Sequence, residues 1–209
     1  MLERIWIIGG GGFAAECHMY LSERMKYEPG IVFGGFLATS HMLGQYGLEG
    51  LFKGHYNDHV FEPHDSIILG IGNAEVRNTL FYEFVARRVN FYTLIALSAQ
   101  VSPQASIGRG NVFCPHVCIS PGVTIGDGNI FNIATIIGHD ASVGNFNVLS
   151  THCAITGYAK MENENFFGIY AGMLPHSRIG SRCTIGAGSI VYKRLKDDVL
   201  AVGNPAMKV

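Results

Sequence analysis

His139 and Asp140 stand together in Gly138-His139-Asp140, an imidazole followed directly by a carboxylate. Such a pair suits general-base chemistry, because a carboxylate on one ring nitrogen fixes the tautomer and leaves the other nitrogen free to take a proton. The plain alternative is a solvated surface histidine, a description that also fits His116, His152 and His176. A second candidate is Gly9-Gly10-Gly11-Gly12-Phe13-Ala14, a loose Gly-x-Gly-x-x-Ala after an apolar run, where backbone N–H groups at a helix start can face a phosphate. A redox dinucleotide would also want an acidic residue at the end of the next strand. Gly35-Phe36-Leu37-Ala38-Thr39-Ser40 has none, which argues against a dehydrogenase. A third is Cys114-Pro115-His116-Val117-Cys118, whose alternate residues share one side of an extended segment and could in principle hold a metal. Structural thiols are the expectation there, and no metal is expected.

The elements that must position these groups fall into two regions of different period. Residues 1–97 alternate strand and helix: an apolar strand Ile5–Ile8, a helix from Phe13 to Met25, strands Ile31–Phe36 and Ile67–Ile71, a helix Glu75–Val89, and a last strand within Phe91–Leu94. That order predicts a small Rossmann-like α/β domain with a parallel sheet. Residues 38–63 read as loop with one short strand at most.

From Val101 to Val191 every sixth residue is apolar without exception, often followed by glycine, as at Gly108, Gly126, Gly138 and Gly144. The residue four further on is usually small or Asn, as at Ala105, Asn111, Asn129 and Asn147. Neither helix nor flat strand has this period, but a parallel β-helix of hexapeptides does. Three hexapeptides make one coil, so the stretch predicts about five coils at ~4.8 Å each, roughly 24 Å of stack, in a domain over 98–209. Glycine or Asn is expected at corners that Cβ-bearing residues resist. This accounts for 27 glycines in 209 residues, nearly twice the usual share of about 7%. Outward apolar residues such as Val112, Val117, Ile130, Ile133 and Ile136 predict association of the prisms.

Basic and acidic residues, 15 against 16, nearly cancel, which gives no footing to a nucleic-acid groove or a polybasic membrane patch. No apolar run approaches the roughly 20 residues of a membrane span, and the N-terminus lacks the pattern of a secretory leader, so the expected compartment is the cytoplasm. Five scattered cysteines predict reduced thiols rather than a disulfide framework.

With 7–16, Gly35-Phe36-Leu37, Gly70-Ile71-Gly72-Asn73, the hexapeptides, Gly138-His139-Asp140 and Val202-Gly203-Asn204-Pro205-Ala206 taken together, the sequence resembles the hexapeptide-repeat acetyltransferases of the bacterial nucleotide-amino-sugar N-acetyltransferase and sialic acid O-acetyltransferase family. The resemblance implies a left-handed β-helix, a homotrimer and acetyl-CoA as acyl donor. It implies His139 as general base with Asp140 orienting it. Gly11, Gly12, Phe13, Gly72 and Asn73 would bind the nucleotide of the sugar substrate, and Asn132 would face the sugar. Gly157, Ile169, Gly172 and Ala187 would line the acetyl-CoA groove. Gly157 stands one coil after His139 and leaves space beside the imidazole. Two positions depart from the family pattern: Ala38 where an acidic residue is common, and Val148 where some members carry a second histidine.

The expected function is acetyl-CoA-dependent N-acetylation of a nucleotide-linked amino sugar, of the 4-amino-4,6-dideoxy kind, for surface glycan synthesis. Sugar O-acetylation and a non-catalytic nucleotide-sugar-binding trimer are the alternatives. A metal-dependent hydratase is discounted, since His116 and His152 lie 36 residues apart, two coils or about 10 Å along the stack.

Overall fold

Ile5, Trp6, Ile7 and Ile8 are all buried, as a central parallel strand with neighbours on both edges must be. In the computed structural model, which describes residues 2–209, they belong to β1 (Glu3–Ile8), flanked in parallel by β2 (Ile31–Leu37) and β4 (Asp65–Leu69). β3 (Phe52–Gly54) and β5 (Asn90–Phe91) complete a sheet of order β3-β2-β1-β4-β5. Helix α1 (Gly12–Met25) buries Ala14, Cys17, Tyr20 and Leu21, and α2 (Ala74–Ala86) buries Arg77, Leu80, Phe81 and Phe84, each at helical spacing. The strand expected over Ile67–Ile71 ends two residues earlier. Gly70 donates the last bond of this edge, to the Ile8 carbonyl at 2.8 Å, and packs on α1, where a Cβ on it would stand 2.9 Å from the Ala14 Cα. The second helix stops at Ala86, three residues short of Val89, and Arg88 behind it has φ 58°. The loop over 38–63 holds β3 and two short 3₁₀ turns, Leu43–Tyr46 and Glu49–Leu51.

The chain divides into two units, Met1–Leu97 and Ser98–Val209. The second is a left-handed parallel β-helix. One wall stacks Gln100–Val101, Cys118–Ile119, Ile136–Ile137, Ala154–Ile155, Gly172–Met173 and Ile190–Val191, each in parallel register with the strand 18 residues on. We call this the first wall. A second wall runs from Ser106–Ile107 to Arg194–Leu195 and a third from Val112–Phe113 to Leu200–Val202. The every-sixth apolar residues point inward and are buried, with Val101 and Ile107 half-buried in the first coil. Because side chains alternate along a strand, the residue two before each is also inward. That alternation places Val117 inside, contrary to the expectation that it lies on an outer wall. Val112 and Ile130 are outward positions that are nonetheless buried, whereas Ile133 and Ile136 are exposed.

The corners also differ from expectation. Left-handed φ values near +60° are held mainly by non-glycine residues, among them Ala134, Asp140, Phe146, His152, Tyr158, Tyr170 and His176. Many repeat glycines serve close approach between coils instead: a Cβ on Gly138 would stand 2.8 Å from the Gly157 nitrogen, and one on Gly168 2.6 Å from that of Ala187. Inside the stack, Asn111, Asn129, Asn147 and Asn165 form a fully buried ladder, each Oδ1 accepting from the backbone of the residue one coil later.

Candidate active site

His139 lies at the corner between the first and second walls, between strands Ile136–Ile137 and Ser142–Val143. Its Nδ1 is 2.9 Å from Asp140 Oδ2, and both side chains are open to solvent, 61% and 47% exposed. With the carboxylate ionised, Nδ1 carries the proton and donates it, so Nε2 presents its lone pair. Gly157 is buried under the ring, and a Cβ there would stand 2.8 Å from Nε2. The space expected beside the imidazole is therefore taken up by the imidazole itself, which lies along the corner with Nε2 over Gly157. Asp140 is held by its own close fit: its N–H donates to the Pro121 carbonyl, and a Cβ on Gly122 would stand 2.5 Å from Oδ1.

Tyr158, which sequence reasoning did not single out, packs edge-on against His139 with ring centroids 5.1 Å apart, and its other face stacks on His176 at 4.9 Å. The signal was available only as a spacing. Asp140, Tyr158 and His176 are 18 residues apart and so share one corner column.

Asn132, Ile169 and Ala187 fall at the other corner of the first wall, and Gly172 sits on the wall between, where a Cβ would meet the Ala154 carbonyl at 2.9 Å. The Asn132 amide is engaged within the coil, donating to the Leu149 carbonyl at 2.9 Å. Ile169 and Ala187 are exposed, and neither backbone N–H has an acceptor among the described residues. The third corner shows the contrast. There Asp127 and Asn145 donate their N–H groups to the Oδ1 of Asn145 and Asn163 at 2.7 Å, and Ser181 to Asp197. One corner is thus closed by side chains, while the corner of Ile169 and Ala187 leaves amide donors for a ligand.

In the N-terminal unit the loops after β1, β2 and β4 meet at the carboxyl edge of the sheet, the usual crevice of an open α/β fold. Gly9, with φ +133°, lies so near the loop after β4 that a Cβ would stand 2.6 Å from the Gly70 carbonyl, and one on Gly10 would strike His41 and Ser40 in the loop after β2. Gly11 and Gly72 border open space. Gly12 opens α1 beneath the Tyr46 hydroxyl, 3.1 Å from where its Cβ would be, and Phe13 is half-buried behind it. Asn73 caps α2, its Oδ1 accepting from Val76 N–H at 2.9 Å. Arg77, buried in α2, donates to the carbonyls of Ile71 and Gly72 at 2.9 and 3.1 Å and holds that loop. Burial brings its guanidinium down to about 10, so it stays charged at neutral pH.

Cys114 and Cys153 are buried, and burial pushes the Cys153 thiol up to about 12. Among the described residues no three His, Cys, Asp or Glu side chains converge as metal ligands, and no helix is long and apolar enough to cross a membrane.

No family model matches the chain, and no curated protein does. Solved structures do. The acetyltransferase domain of PglB from Neisseria gonorrhoeae FA1090 is 23% identical with TM-score 0.87, over 99% of this chain and 100% of that one. PerB from Caulobacter crescentus, solved with CoA and GDP-perosamine, is 27% identical with TM-score 0.86, over 98% and 96%. WeeI from Acinetobacter baumannii AYE is 22% identical with TM-score 0.83, over 98% and 99%. The fold and the resemblance read from the sequence are borne out by these neighbours, which span both units.

Proposed function

We propose that this chain, built like the hexapeptide-repeat nucleotide-amino-sugar N-acetyltransferases, transfers an acetyl group from acetyl-CoA to the amine of a nucleotide-linked sugar. The observation that carries the reading is the end-to-end likeness to PerB, a perosamine N-acetyltransferase that holds CoA and GDP-perosamine. The exposed His139–Asp140 pair at one corner of the first wall and the unused amide donors at its opposite corner support it.

Acetyl-CoA supplies the acyl group on a thiol leaving group. As the amine nitrogen bonds to the acetyl carbon and the carbon–sulfur bond breaks, His139 Nε2 takes the amine's proton and passes it to the departing sulfur, while Nδ1–H stays on the ring and donates to Asp140. Exposed N–H groups at the glycine-rich corners are suited to the charge that develops on the carbonyl oxygen and to the amides of the donor's arm. The groove would be lined by Gly157, Gly172, Ile169 and Ala187. These candidates lie on opposite corners of one wall. A homotrimer with the first walls turned toward a threefold axis would bring the His139 corner of one protomer against the Ile169 corner of the next, completing three equivalent grooves. The outward residues of that wall, Ile136, Ala154, Gly172 and Ile190, suit such burial. The sugar nucleotide is taken by Gly11, Gly12, Phe13, Gly72 and Asn73, with Asn132 toward the sugar. The amino sugar is of the 4-amino-4,6-dideoxy kind, the product serves surface glycan synthesis, and the enzyme works in the cytoplasm.

The direct test is a panel of UDP-, dTDP-, GDP- and CMP-linked amino sugars with acetyl-CoA, following release of free thiol. Turnover with one of them supports the proposal, and none with any of them removes it. Gly12→Val sets a branched side chain against Tyr46 at the start of α1. It is expected to raise KM for the sugar nucleotide roughly tenfold or more while leaving CoA affinity unchanged; equal weakening of both would contradict the division between the units. Asp140→Asn is expected to lower kcat roughly tenfold with both KM values kept, because an amide that donates to Nδ1 puts the ring proton on Nε2. Full activity would make Asp140 a bystander.

A further inference from the structure

Arg77 is 1% exposed, and its guanidinium donates to two successive carbonyls, those of Ile71 and Gly72, at 2.9 and 3.1 Å. A buried cation is costly to hold, and carbonyl dipoles offset only part of that cost. Its effect on the loop after β4 is directional. In a planar trans peptide the C=O and the N–H point opposite ways. Both carbonyls are drawn inward to the guanidinium, so the N–H groups of Gly72 and Asn73, at the far side of the same two peptides, are turned outward. Gly72 and Asn73 are exposed, and neither N–H has an acceptor among the described residues.

The start of α1 adds a second set of donors, because the N–H groups of Gly12 and Phe13 also lack an acceptor among the described residues. The adjacent strands β1 and β4 feed crossovers in opposite directions, β1 to β2 and β4 to β5, so both sets lie at the switch point of the sheet. Donors from two neighbouring loops suit two linked phosphates.

The surface holds no matching positive charge. Residues 9–13, 38–48 and 70–74, the three loops of this edge, contain no Lys or Arg, and neither do the first two turns of α1. The charged side chains early in the two helices are carboxylates, Glu16 and Glu75, both exposed. An anion gripped by the outward N–H groups therefore has Arg77 behind the loop as its cation. One layer of backbone separates them, and a charge in that low-dielectric setting is screened less than a solvated lysine at the same distance.

We propose that Arg77 is a positioning residue and the buried counter-charge for the diphosphate of the sugar nucleotide: it aims the Gly72 and Asn73 N–H groups outward and supplies, through the loop, the cation that the surface lacks. This rests on the assignment of the sugar nucleotide to this edge, and it narrows the acceptor to a nucleoside diphosphate sugar over a CMP-linked one, which has a single phosphate. CoA also carries a diphosphate, so the test separates the two sources.

Binding of UDP, dTDP and GDP, of the matching monophosphates and of CoA is measured by calorimetry on the full chain and on Arg77→Gln and Arg77→Lys. Glutamine keeps a donor for one carbonyl and removes the charge, whereas lysine keeps the charge. The wild type is expected to bind one diphosphate at least roughly tenfold more tightly than its monophosphate. Arg77→Gln should weaken that diphosphate roughly 30-fold and its monophosphate less than about fivefold, with CoA unmoved, and Arg77→Lys should return the diphosphate to within roughly fivefold of wild type. With the sugar nucleotide as substrate, KM should rise in Arg77→Gln while kcat stays within about threefold. If Arg77 only braced the loop, glutamine and lysine would weaken diphosphate and monophosphate alike, and that result overturns the inference. So do an unchanged diphosphate affinity and an equal loss of CoA affinity.

Gly72→Pro, placed where a side chain meets open space, removes one outward N–H and leaves Arg77 intact. It should weaken the diphosphate roughly tenfold, and unchanged affinity would overturn the aiming of the loop. Matching circular dichroism at the assay temperature establishes that each variant is folded, and if Arg77→Gln is not, Arg77→Lys and Gly72→Pro carry the test. Calorimetry needs no turnover. If a diphosphate binds and Arg77→Gln loses it while no amino sugar is acetylated, the acetyl-transfer reading fails and the role of Arg77 stands. A wild-type chain that binds none of the three diphosphates overturns that role.

Discussion

Replacing His139 by alanine is expected to lower turnover by about 10²–10⁴ while CoA and the sugar nucleotide keep their affinities, the usual worth of a positioned general base. The reasoning is local. The ring is 61% exposed, its Nδ1 is held on Asp140 at 2.9 Å, and Nε2 lies over a glycine at which any side chain would collide with it. A proton acceptor is thereby fixed in direction without being buried. Single-turnover kinetics with acetyl-CoA and the active sugar nucleotide, run beside binding measurements, checks the point. A variant that turns over like the wild type would remove His139 from the reaction, and one that loses CoA binding to the same degree would make it a binding residue. Replacement by asparagine keeps polarity and approximate size, and it should be about as slow as the alanine variant because an amide does not accept the proton.

The largest expected change in stability comes from the interior of the prism. Asn147→Leu, close in volume, is expected to cost about 2–5 kcal/mol. Asn147 Oδ1 accepts from both the N–H and the amide of Asn165, at 2.9 and 3.0 Å, and its own amide donates to Asn129 Oδ1 at 3.0 Å. All of these atoms belong to residues with no solvent exposure, so leucine strands two donors and one acceptor half where water does not reach. For a unit of this size the loss corresponds to roughly 10–30 °C in melting temperature. Thermal unfolding followed by circular dichroism reads it directly, and a fall of less than about 3 °C would show that the ladder contributes little. Asn145→Leu serves as the comparison. It also loses two side-chain bonds, Oδ1 accepting from Asp127 N–H and the amide donating to Asn163 Oδ1, but at a half-buried corner where water can replace them, so its cost should be smaller.

Much of this architecture could be read before any coordinates. An apolar residue at every sixth position from Val101 to Val191 fits a coil with three short walls, and Gly138-His139-Asp140 sets the one adjacent histidine–carboxylate pair within that pattern. The α/β unit was legible for the same reason, because β1 and α1 carry unmixed periods. Boundaries were less so. The strand ending at Leu69 was expected to continue to Ile71, since Ile71 is as apolar as its predecessors, but the pairing stops where Gly70 packs closely against Ala14.

What the sequence by itself determined is the repeat, and with it which side chains face inward, because alternation along a two-residue strand leaves no other way to bury the apolar set. Tertiary structure alone decided which groups meet between coils. Tyr158 reaches His139, and the Asn ladder joins its members, across 18 residues, while Arg178 meets Arg194 across 16. No local rule distinguishes these two spacings until the chain has closed on itself. Nor does composition reveal which corner amides are capped and which are left open. That depends on whether the residue one coil later carries a carboxylate or amide oxygen, as Asn145 and Asp197 do, or a methyl group, as Ala187 does. Stacking turns distant positions into neighbours, and the chemistry of the site resides in those neighbours.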